Sequence, residues 1–135
     1  MLEVFADGGS RGNPGHAAYG FVVKKDGMIV KEEGGYLGIE TNNFAEYTAL
    51  VKALTYLESG AKGEEIHVFL DSQLVVSQLS GIYKVKSPKI RELVIKVREL
   101  EPAFKVVKYQ HILRDKNKEA DRLVNIALDR KLYGT

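Results

Sequence analysis

Residues 41–47 read Thr-Asn-Asn-Phe-Ala-Glu-Tyr and join a strand-rich first third of the chain to a long amphipathic helix. The apolar residues of this helix follow at helical spacing and are Tyr47, Leu50, Val51, Leu54 and Leu57. The stretch also places the carboxylate of Glu46 in the predicted first turn of the helix. One interpretation is a capping box, in which Asn43 is the N-cap and Glu46 reaches back to it. Three further acids at the ends of predicted elements suggest a second interpretation, in which Glu46 belongs to a site.

The composition is that of an ordinary globular domain. The chain has 135 residues, so residues 1–135 are predicted to form one domain with a core of its own. The lack of cysteine excludes a disulfide framework, a thiolate zinc site and a cysteine nucleophile. No apolar run suits a signal peptide or a membrane span, so we expect a cytoplasmic protein that does not enter membranes. A formal net charge of +2 neither requires nor excludes a polyanionic partner.

Alternating apolar residues and turn dipeptides predict an α/β fold. Strands are predicted at 2–6, 17–25 and 28–37, and the dipeptide Asp26-Gly27 is typical of the hairpin between the last two. The first strand is predicted to end at Asp7, and the glycine-rich run 8–15 is predicted to be a turn. The later elements are a helix at 43–59, a strand at 66–70, a helix after Asp71, a helix from Ser87 to Glu101, a strand at 105–112 and a helix capped by Asn117. This order, β-β-β-α-β-α-α-β-α, predicts a mixed five-stranded sheet flanked by helices on both faces.

Four acids lie at the ends of these predicted elements. Asp7 ends the first strand and Asp71 ends the fourth, whereas Glu46 and Asp121 begin helices. If the first and fourth strands are neighbours, Asp7 and Asp71 lie about 5 Å apart, at the sheet edge where α/β proteins bind ligands. Each acid alone also fits a structural role, as a turn residue, an N-cap or a favourable charge at a helix N-terminus. Together, and without a matching basic cluster, the four would repel one another unless divalent cations neutralised them.

The chemistry of these acids suits magnesium. Hard carboxylate oxygens, in a chain without cysteine or a histidine pair at ligand spacing, favour Mg²⁺ over zinc, and Mn²⁺ is expected to substitute for it. Two such ions about 4 Å apart activate a water and stabilise the leaving oxygen in phosphodiester hydrolysis. The pattern therefore favours a metal-dependent phosphodiester hydrolase.

Four motifs in this chain closely resemble those of the type 1 ribonuclease H family. They are the run from Asp7 to Gly15, Thr41-Asn42-Asn43 with Glu46, Asp71-Ser72-Gln73, and Asn117 with Ala120-Asp121. The resemblance runs almost end to end and implies a single ribonuclease H domain. It implies an endonuclease that cleaves the RNA strand of RNA–DNA hybrids with two Mg²⁺ ions and leaves 5′-phosphate and 3′-hydroxyl ends. Its metal-binding acids fall on Asp7, Glu46, Asp71 and Asp121.

The resemblance also implies that short polar residues contact the substrate. The family positions that bond ribose hydroxyls or base edges fall on Asn13, Asn42, Asn43 and Gln73, and the position that binds a DNA phosphate falls on Thr41. The Gly9-Ser10 turn is expected to bring backbone close to a ribose, because glycine has no side chain in the way. Structural interpretations stay open beside these: a turn for Asn13, a helix cap for Asn42 or Asn43, and a solvated helix position for Gln73.

The chain departs from the common family pattern in two places. Many relatives carry a basic protrusion before the last strand, whereas this chain has only Ile82 to Pro88 with lysines at 84, 86 and 89, which resembles the short archaeal-like form. These lysines either contact phosphates or form a solvated face, and hybrid binding is expected to be salt-sensitive. The auxiliary residue near the last acid is predicted to be Arg114, with His111 as the alternative. Arg114 would bind phosphate or ease product departure, because arginine cannot act as a base at neutral pH.

Other functions stay open from the sequence. A non-catalytic hybrid-binding module is expected to have lost at least one metal-binding acid, and none is missing here. A nuclease of related fold that acts on DNA would have no use for residues that detect ribose. Double-stranded RNA is left open as a second substrate, and no protein partner is implied.

Overall fold

The computed structural model describes residues 1–134 and contains five strands and four α-helices in that range. The strands are β1 (Leu2–Gly12), β2 (Gly15–Lys25), β3 (Met28–Glu40), β4 (Glu65–Leu70) and β5 (Val106–His111). The helices are α1 (Asn42–Glu58), α2 (Gln73–Leu79), α3 (Pro88–Leu100) and α4 (Lys118–Tyr133), with short 3₁₀ turns at Glu101–Ala103 and Arg114–Lys116. The predicted order of elements and the predicted α/β class are confirmed.

The strands form one mixed sheet in the order β3-β2-β1-β4-β5. The first three strands make an antiparallel meander, and β4 pairs in parallel with both β1 and β5. Asp26 and Gly27 have φ values of 51° and 81°, and positive φ at both positions is what a two-residue type I′ hairpin requires. The predicted hairpin is therefore confirmed, and the first and fourth strands are neighbours, which was the condition for bringing Asp7 and Asp71 together.

β1 is longer than its sequence predicts. The strand does not end at Asp7, and the glycine-rich run is not a turn throughout, because pairing with β2 continues from Asp7 opposite Gly20 to Gly12 opposite Gly15. Only the pairing with β4 stops near Asp7, since its last pair joins Ala6 and Leu70. Glycine has low strand propensity, but the hydrogen bonds to β2 hold this segment extended. Asp7 thus lies where one neighbouring strand ends and the other continues.

The helices cover both faces of the sheet. α1 packs against β1 and β2, and α3 packs against α1 on the same side. The core on this face includes Val4, Leu50 and Ile66, all fully buried. On the other face α4 packs against β1, β2 and β3 around Ala18, Val124 and Leu128. Within residues 1–134, no helix has both the length and the apolar character that crossing a membrane requires.

Two glycines let α4 lie directly on the sheet backbone. A Cβ atom on Gly20 would lie 2.7 Å from the carbonyl oxygen of Ala120, and one on Gly34 would lie 2.9 Å from the carbonyl oxygen of Leu123. Both distances are shorter than any normal contact, so a larger residue at either position would push the helix away. The first turn of α4, which carries Asp121, is therefore held at a fixed height above β2.

Candidate active site

Two acids of the site follow directly from the end of parallel pairing. Asp7 and Asp71 are the residues after Ala6 and Leu70, the last pair between β1 and β4. The Asp7 side chain is buried, and Asp71 is half-buried at the start of the turn that leads to α2. Ser72, not Asp71, is the N-cap of α2, because its hydroxyl accepts a hydrogen bond from the Val75 amide at 3.2 Å. Asp71 is thus left without a capping role.

Glu46 joins these acids from α1, although not through the predicted capping box. Thr41 is the N-cap, and its hydroxyl accepts a hydrogen bond from the Phe44 amide at 3.2 Å. The helix therefore begins at Asn42, and Glu46 lies in its second turn instead of its first. The Glu46 carboxylate accepts a hydrogen bond at 3.0 Å from the backbone amide of Gly8, on β1. The prediction of Asn43 as N-cap is wrong, because Thr41 offers a hydroxyl at the position where the backbone first becomes helical.

Gly8 allows this contact between helix and strand. A Cβ atom at this position would lie 2.1 Å from the backbone carbonyl carbon of Ala45, well inside the closest normal approach. The chain of β1 therefore runs against the backbone of α1 itself. This approach brings the Gly8 amide within hydrogen-bond distance of the Glu46 carboxylate. It also brings the preceding residue, Asp7, close to Glu46.

The three carboxylates form a tight group. One oxygen each from Asp7, Glu46 and Asp71 lies within 4.8 Å of the others. Burial, together with the charges of Asp71 and Asp121, raises the pKa of Asp7 from 3.8 to about 8. Burial and the neighbouring charges of Asp7 and Asp71 also raise the pKa of Glu46 well above its usual range. None of the ion pairs within residues 1–134 involves these acids, so nothing in the described chain neutralises their charge.

Asp121 borders this group without belonging to its closest set. It lies in the first turn of α4, as predicted, and is close enough to Asp7 to raise the pKa of that carboxyl. The sequence therefore predicted the four neighbours correctly, whereas the structure divides them into a tight trio and one flanking acid.

The side chain of Asn117 bridges Asp71 and the backbone of β1 at Ala6. Asn117 is the N-cap residue of α4, as predicted, and its backbone carbonyl accepts from the Asp121 amide at 3.1 Å, but its side chain makes no capping hydrogen bond. Its amide nitrogen instead donates to the Ala6 carbonyl at 2.9 Å and to the Asp71 carboxylate at 3.3 Å. Asn117 is almost completely buried, and its amide oxygen has no hydrogen-bond partner among the described residues. It is thus positioned to hold Asp71 against β1.

Most of the other predicted site residues lie around one cavity. This cavity has a volume of about 330 Å³ and is lined by the four acids and by Gly9, Ser10, Asn42, Asn43 and Arg114. Asn42 makes two hydrogen bonds at the rim of the cavity. Its side-chain oxygen accepts from the Ser10 backbone amide at 2.8 Å, and its backbone amide donates to the side-chain oxygen of Asn13 at 3.0 Å. The glycine-rich segment and the start of α1 therefore form one surface beside the acids.

Four predicted residues do not line this cavity. Asn13 lies behind its rim, where its side-chain oxygen accepts from the Asn42 backbone amide. Thr41 caps α1 next to the rim, and the Gln73 side chain donates to the Ser77 hydroxyl at 3.1 Å on its own helix. His111 ends β5, whereas Arg114 reaches the cavity from the following 3₁₀ turn. The placement agrees with the sequence-based choice of Arg114 over His111 as the residue near the acids.

Sequence reasoning missed two residues on the cavity wall, Arg11 and Asn125. Asn125 was detectable in principle, because it follows Asp121 by one helical turn and so lies on the same face of α4. Arg11 gave no such signal, since its position depends on the unpredicted extension of β1 past Asp7.

A larger groove of about 860 Å³ lies along β5, but its chemistry differs. Its only lining acid is Glu101, which pairs with Arg98 at 2.9 Å and accepts a hydrogen bond from the Tyr109 hydroxyl at 2.6 Å. The charge of that carboxylate is already balanced by the protein. The group of neighbouring acids without an ion pair among the described residues lines the smaller cavity instead.

The donor set of the smaller cavity fits divalent cations. Glu46 keeps one buried oxygen, Oε1, without a hydrogen-bond partner among the described residues, in a side chain that belongs to the group of three carboxylates. A buried carboxylate oxygen without a donor is unfavourable unless a cation binds it. The donors are all hard oxygens, with no sulfur or imidazole among the cavity residues, which suits Mg²⁺ or Mn²⁺.

Known proteins resemble this chain along nearly its whole length. The family model described as reverse transcriptase-like matches residues 5–127. A ribonuclease HI from Halobacterium salinarum is 44% identical over 131 residues, which cover 95% of this chain and 64% of that protein. A bifunctional protein from Mycobacterium tuberculosis is 42% identical over 131 residues, which cover 95% of this chain and 35% of that protein. The chain thus spans about a third of one of these curated relatives and just under two thirds of the other.

A solved structure extends the likeness to the fold. The structure of LC11-RNase H1 in complex with an RNA/DNA hybrid matches this chain with a TM-score of 0.93 and 39% identity. The match covers 98% of this chain and 99% of that chain. Because both sequence and fold agree from end to end, the family assignment applies to the whole described chain.

Proposed function

The chain belongs to the type 1 ribonuclease H family, and from this premise we propose that it is a metal-dependent endonuclease that hydrolyses the RNA strand of RNA–DNA hybrids. The observation that carries the proposal is the buried group formed by Asp7, Glu46 and Asp71, flanked by Asp121 and neutralised by no basic residue of the described chain. The hybrid bound to LC11-RNase H1 supports the choice of substrate.

The proposed catalytic acids have distinct supports within the fold. Asp7 and Asp71 follow the last residue pair between β1 and β4, while the Gly8 amide holds Glu46 through one of its two carboxylate oxygens. The other Glu46 oxygen, Oε1, is buried without a hydrogen-bond partner among the described residues. We propose that these residues, with Asp121, hold two Mg²⁺ ions, for which Mn²⁺ can substitute. When bound, two such ions would activate a water for attack on the phosphorus and stabilise the departing 3′-oxygen; breaking the P–O3′ bond would leave 5′-phosphate and 3′-hydroxyl ends.

The rim of the cavity is proposed to recognise the hybrid. The Gly9-Ser10 segment presents backbone beside the acids, where it can approach a ribose without side-chain interference. Asn42 and Asn43 present amides at the start of α1, and such short polar groups read 2′-hydroxyls across a minor groove. Arg114 lines the cavity from the 3₁₀ turn that follows β5. We propose that its guanidinium binds a phosphate or assists product departure.

A direct test compares substrates under controlled metal conditions. The protein would be incubated with a labelled RNA–DNA hybrid, duplex DNA or duplex RNA, each with Mg²⁺, with Mn²⁺ or with EDTA. We expect endonucleolytic cuts in the RNA strand of the hybrid, with 5′-phosphate ends, and no cleavage in EDTA. Equal rates on duplex DNA and hybrid would contradict the substrate assignment. The duplex RNA reaction decides whether double-stranded RNA is a second substrate.

The same assay separates the enzyme from a non-catalytic module. A hybrid-binding module would retain binding but show no metal-dependent cleavage. The presence of all four acids in one cavity favours the enzyme, because a module without turnover has no need to bury uncompensated carboxylates.

A further inference from the structure

Asp121 needs a feature that fixes its side chain. Unlike Asp7 and Glu46, it is only partly buried, and it lies outside the closest group of three carboxylates. A partly exposed aspartate on a helix can rotate among staggered conformations. One neighbour restricts it: the side-chain amide of Asn125 donates to the Asp121 backbone carbonyl at 3.1 Å and to its carboxylate oxygen Oδ2 at 3.4 Å.

Arg11 determines which way the Asn125 amide faces. Its Nη2 atom donates to the Asn125 oxygen Oδ1 at 3.3 Å, and its Nη1 atom lies 2.8 Å from the Asp129 carboxylate. A guanidinium offers only donors, so the oxygen of the Asn125 amide must turn to Arg11. The NH₂ group of the same amide is then directed to Asp121. The charge of Arg11 is balanced by Asp129, which leaves the site acids without a counter-ion from this residue.

This chain of contacts leads from the glycine-rich segment to the flanking acid. Arg11 follows Ser10, whose amide donates to the Asn42 side chain at 2.8 Å on the proposed substrate rim. The order of contacts is therefore rim, Arg11, Asn125 and Asp121. All the side chains between the rim and Asp121 are largely exposed, so their contribution to global stability is small.

We propose that Asn125 is a positioning residue that fixes the Asp121 carboxylate for metal binding, and that Arg11 orients Asn125 for this task. The inference rests on the proposed function, because it takes Asp121 to be a metal ligand. A donor that orients a ligating carboxylate from behind typically changes metal affinity by about tenfold or more when it is removed. A purely structural contact along the helix surface would leave metal affinity unchanged.

The test measures metal binding directly, without nucleic acid or turnover. Mn²⁺ would be titrated into the full chain, and the free ion followed by electron paramagnetic resonance. We expect Asn125→Ala to raise the dissociation constant by about tenfold. Arg122→Ala is the matched control, because Arg122 is exposed on the same helix and contacts only Glu32, at 3.5 Å, among its possible ion-pair partners in residues 1–134. The control should bind Mn²⁺ like the wild type.

A double-mutant cycle isolates the route through Asp121. In the Asp121→Asn background, Asn125→Ala should cause no further loss of Mn²⁺ affinity, because its target is gone. Arg11→Met should weaken binding in the same direction as Asn125→Ala, and it decides the question if Asn125→Ala does not fold. The melting temperatures of the variants in EDTA should stay close to that of the wild type.

Two results for Asn125→Ala would overturn the inference, and one result for Asp121→Asn would overturn its premise. The first is an Asn125→Ala variant whose Mn²⁺ affinity stays within twofold of the wild type, and the second is an equal loss in the Asp121→Asn background. If Asp121→Asn weakens binding and Asn125→Ala does not, only the positioning role fails. If Asp121→Asn leaves Mn²⁺ binding unchanged, Asp121 is no ligand and the inference fails together with that part of the proposed function.

Discussion

At the scale of single residues, Asp7 shows the conflict between folding and the proposed catalysis. Its carboxyl is buried beside two other acids, and its pKa is raised from 3.8 to about 8, mainly because burial disfavours the charged form. Metal-dependent hydrolysis requires the same group to be ionised. In the absence of cations the fold is therefore destabilised by a residue that the proposed reaction needs.

Replacing Asp7 with asparagine should expose this conflict as a pH-dependent difference in stability. Between about pH 4 and pH 8, folded wild-type protein retains a proton on Asp7 that the unfolded chain has released. The stability of the wild type in EDTA therefore falls as pH rises through this window. Asp7→Asn carries no charge there, so its advantage in free energy of unfolding should grow with pH, to several kcal/mol at pH 8, since each unit of pKa difference corresponds to about 1.4 kcal/mol. Urea unfolding at several pH values measures it.

The same variant should lose nearly all turnover on the hybrid. Addition of Mg²⁺ at pH 8 should narrow the stability gap, because only the wild type has its full set of carboxylates to bind the ion. A gap that does not change between pH 4 and pH 8 would remove Asp7 from the uncompensated group. Turnover at the wild-type rate would remove it from the metal site.

At the scale of elements, the decisive contact is between β1 and α1. The backbones of the two elements meet at Gly8, and the Gly8 amide holds the Glu46 carboxylate at 3.0 Å. A comparable approach at Gly20 places α4 on the sheet on the opposite face. The positions of Glu46 and Asp121 are thus set by places where a strand has no side chain between itself and a helix.

A pair of adjacent substitutions tests this role of glycine. Gly8→Ala places a Cβ atom 2.1 Å from backbone in α1, so the helix must move and the variant should lose about 3 kcal/mol or more of stability. Gly9→Ala is the matched control for folding, because its Cβ atom would meet only a side-chain carbon of Val124, at an ordinary 3.8 Å. Urea unfolding of both variants gives the difference. Equal stabilities would show that the backbone contact at Gly8 is unimportant.

At the scale of the whole molecule, charge is segregated although the net charge is only +2. The uncompensated acids lie in one cavity, while the exposed lysines Lys84, Lys86 and Lys89 lie on the segment before and at the start of α3. Lys89 connects this segment to the rim, because its ammonium group lies 2.6 Å from Glu40 and 4.6 Å from the ring centroid of Phe44. A duplex over the acids would therefore pass close to these lysines.

Salt dependence should reveal whether the lysines meet phosphates. In an inactive Asp7→Asn background, replacement of Lys84 and Lys86 with alanine should weaken hybrid binding and reduce the slope of log affinity against log salt by about 2. Lys62 and Lys105 form the matched control pair. They precede β4 and β5, and so lie at the other end of these two strands from Asp71 and the cavity. An equal change in slope for both pairs would indicate a general effect of net charge, without contact.

The sequence predicted what depends on local pattern. The strand and helix order, the hairpin at Asp26-Gly27 and the helix that starts at Ser87 follow from periodicity and turn chemistry, and all are present. The proximity of Asp7, Glu46 and Asp71 followed from the placement of acids at element ends, combined with a family resemblance. These features need no knowledge of which backbone atoms meet.

The features that were missed depend on contacts between distant segments. The extension of β1 to Gly12 is imposed by pairing with β2, and glycine-rich sequence gives no sign of it. The choice of Thr41 over Asn43 as N-cap depends on where the backbone of β3 ends, one residue before Thr41. The side chain of Asn117 satisfies a carbonyl on β1 instead of its own helix end, which only the packed structure shows.

The wide spacing of the four acids along the chain has a consequence for synthesis. Asp7 is made first, but its parallel partner β4 and the helix that carries Asp121 follow much later. A nascent polypeptide on the ribosome can close the β1–β2–β3 meander early, since those pairings are local, yet it has no complete set of ligands until α4 emerges and docks. The full group of four acids therefore forms only after α4 has been translated and has docked on the sheet.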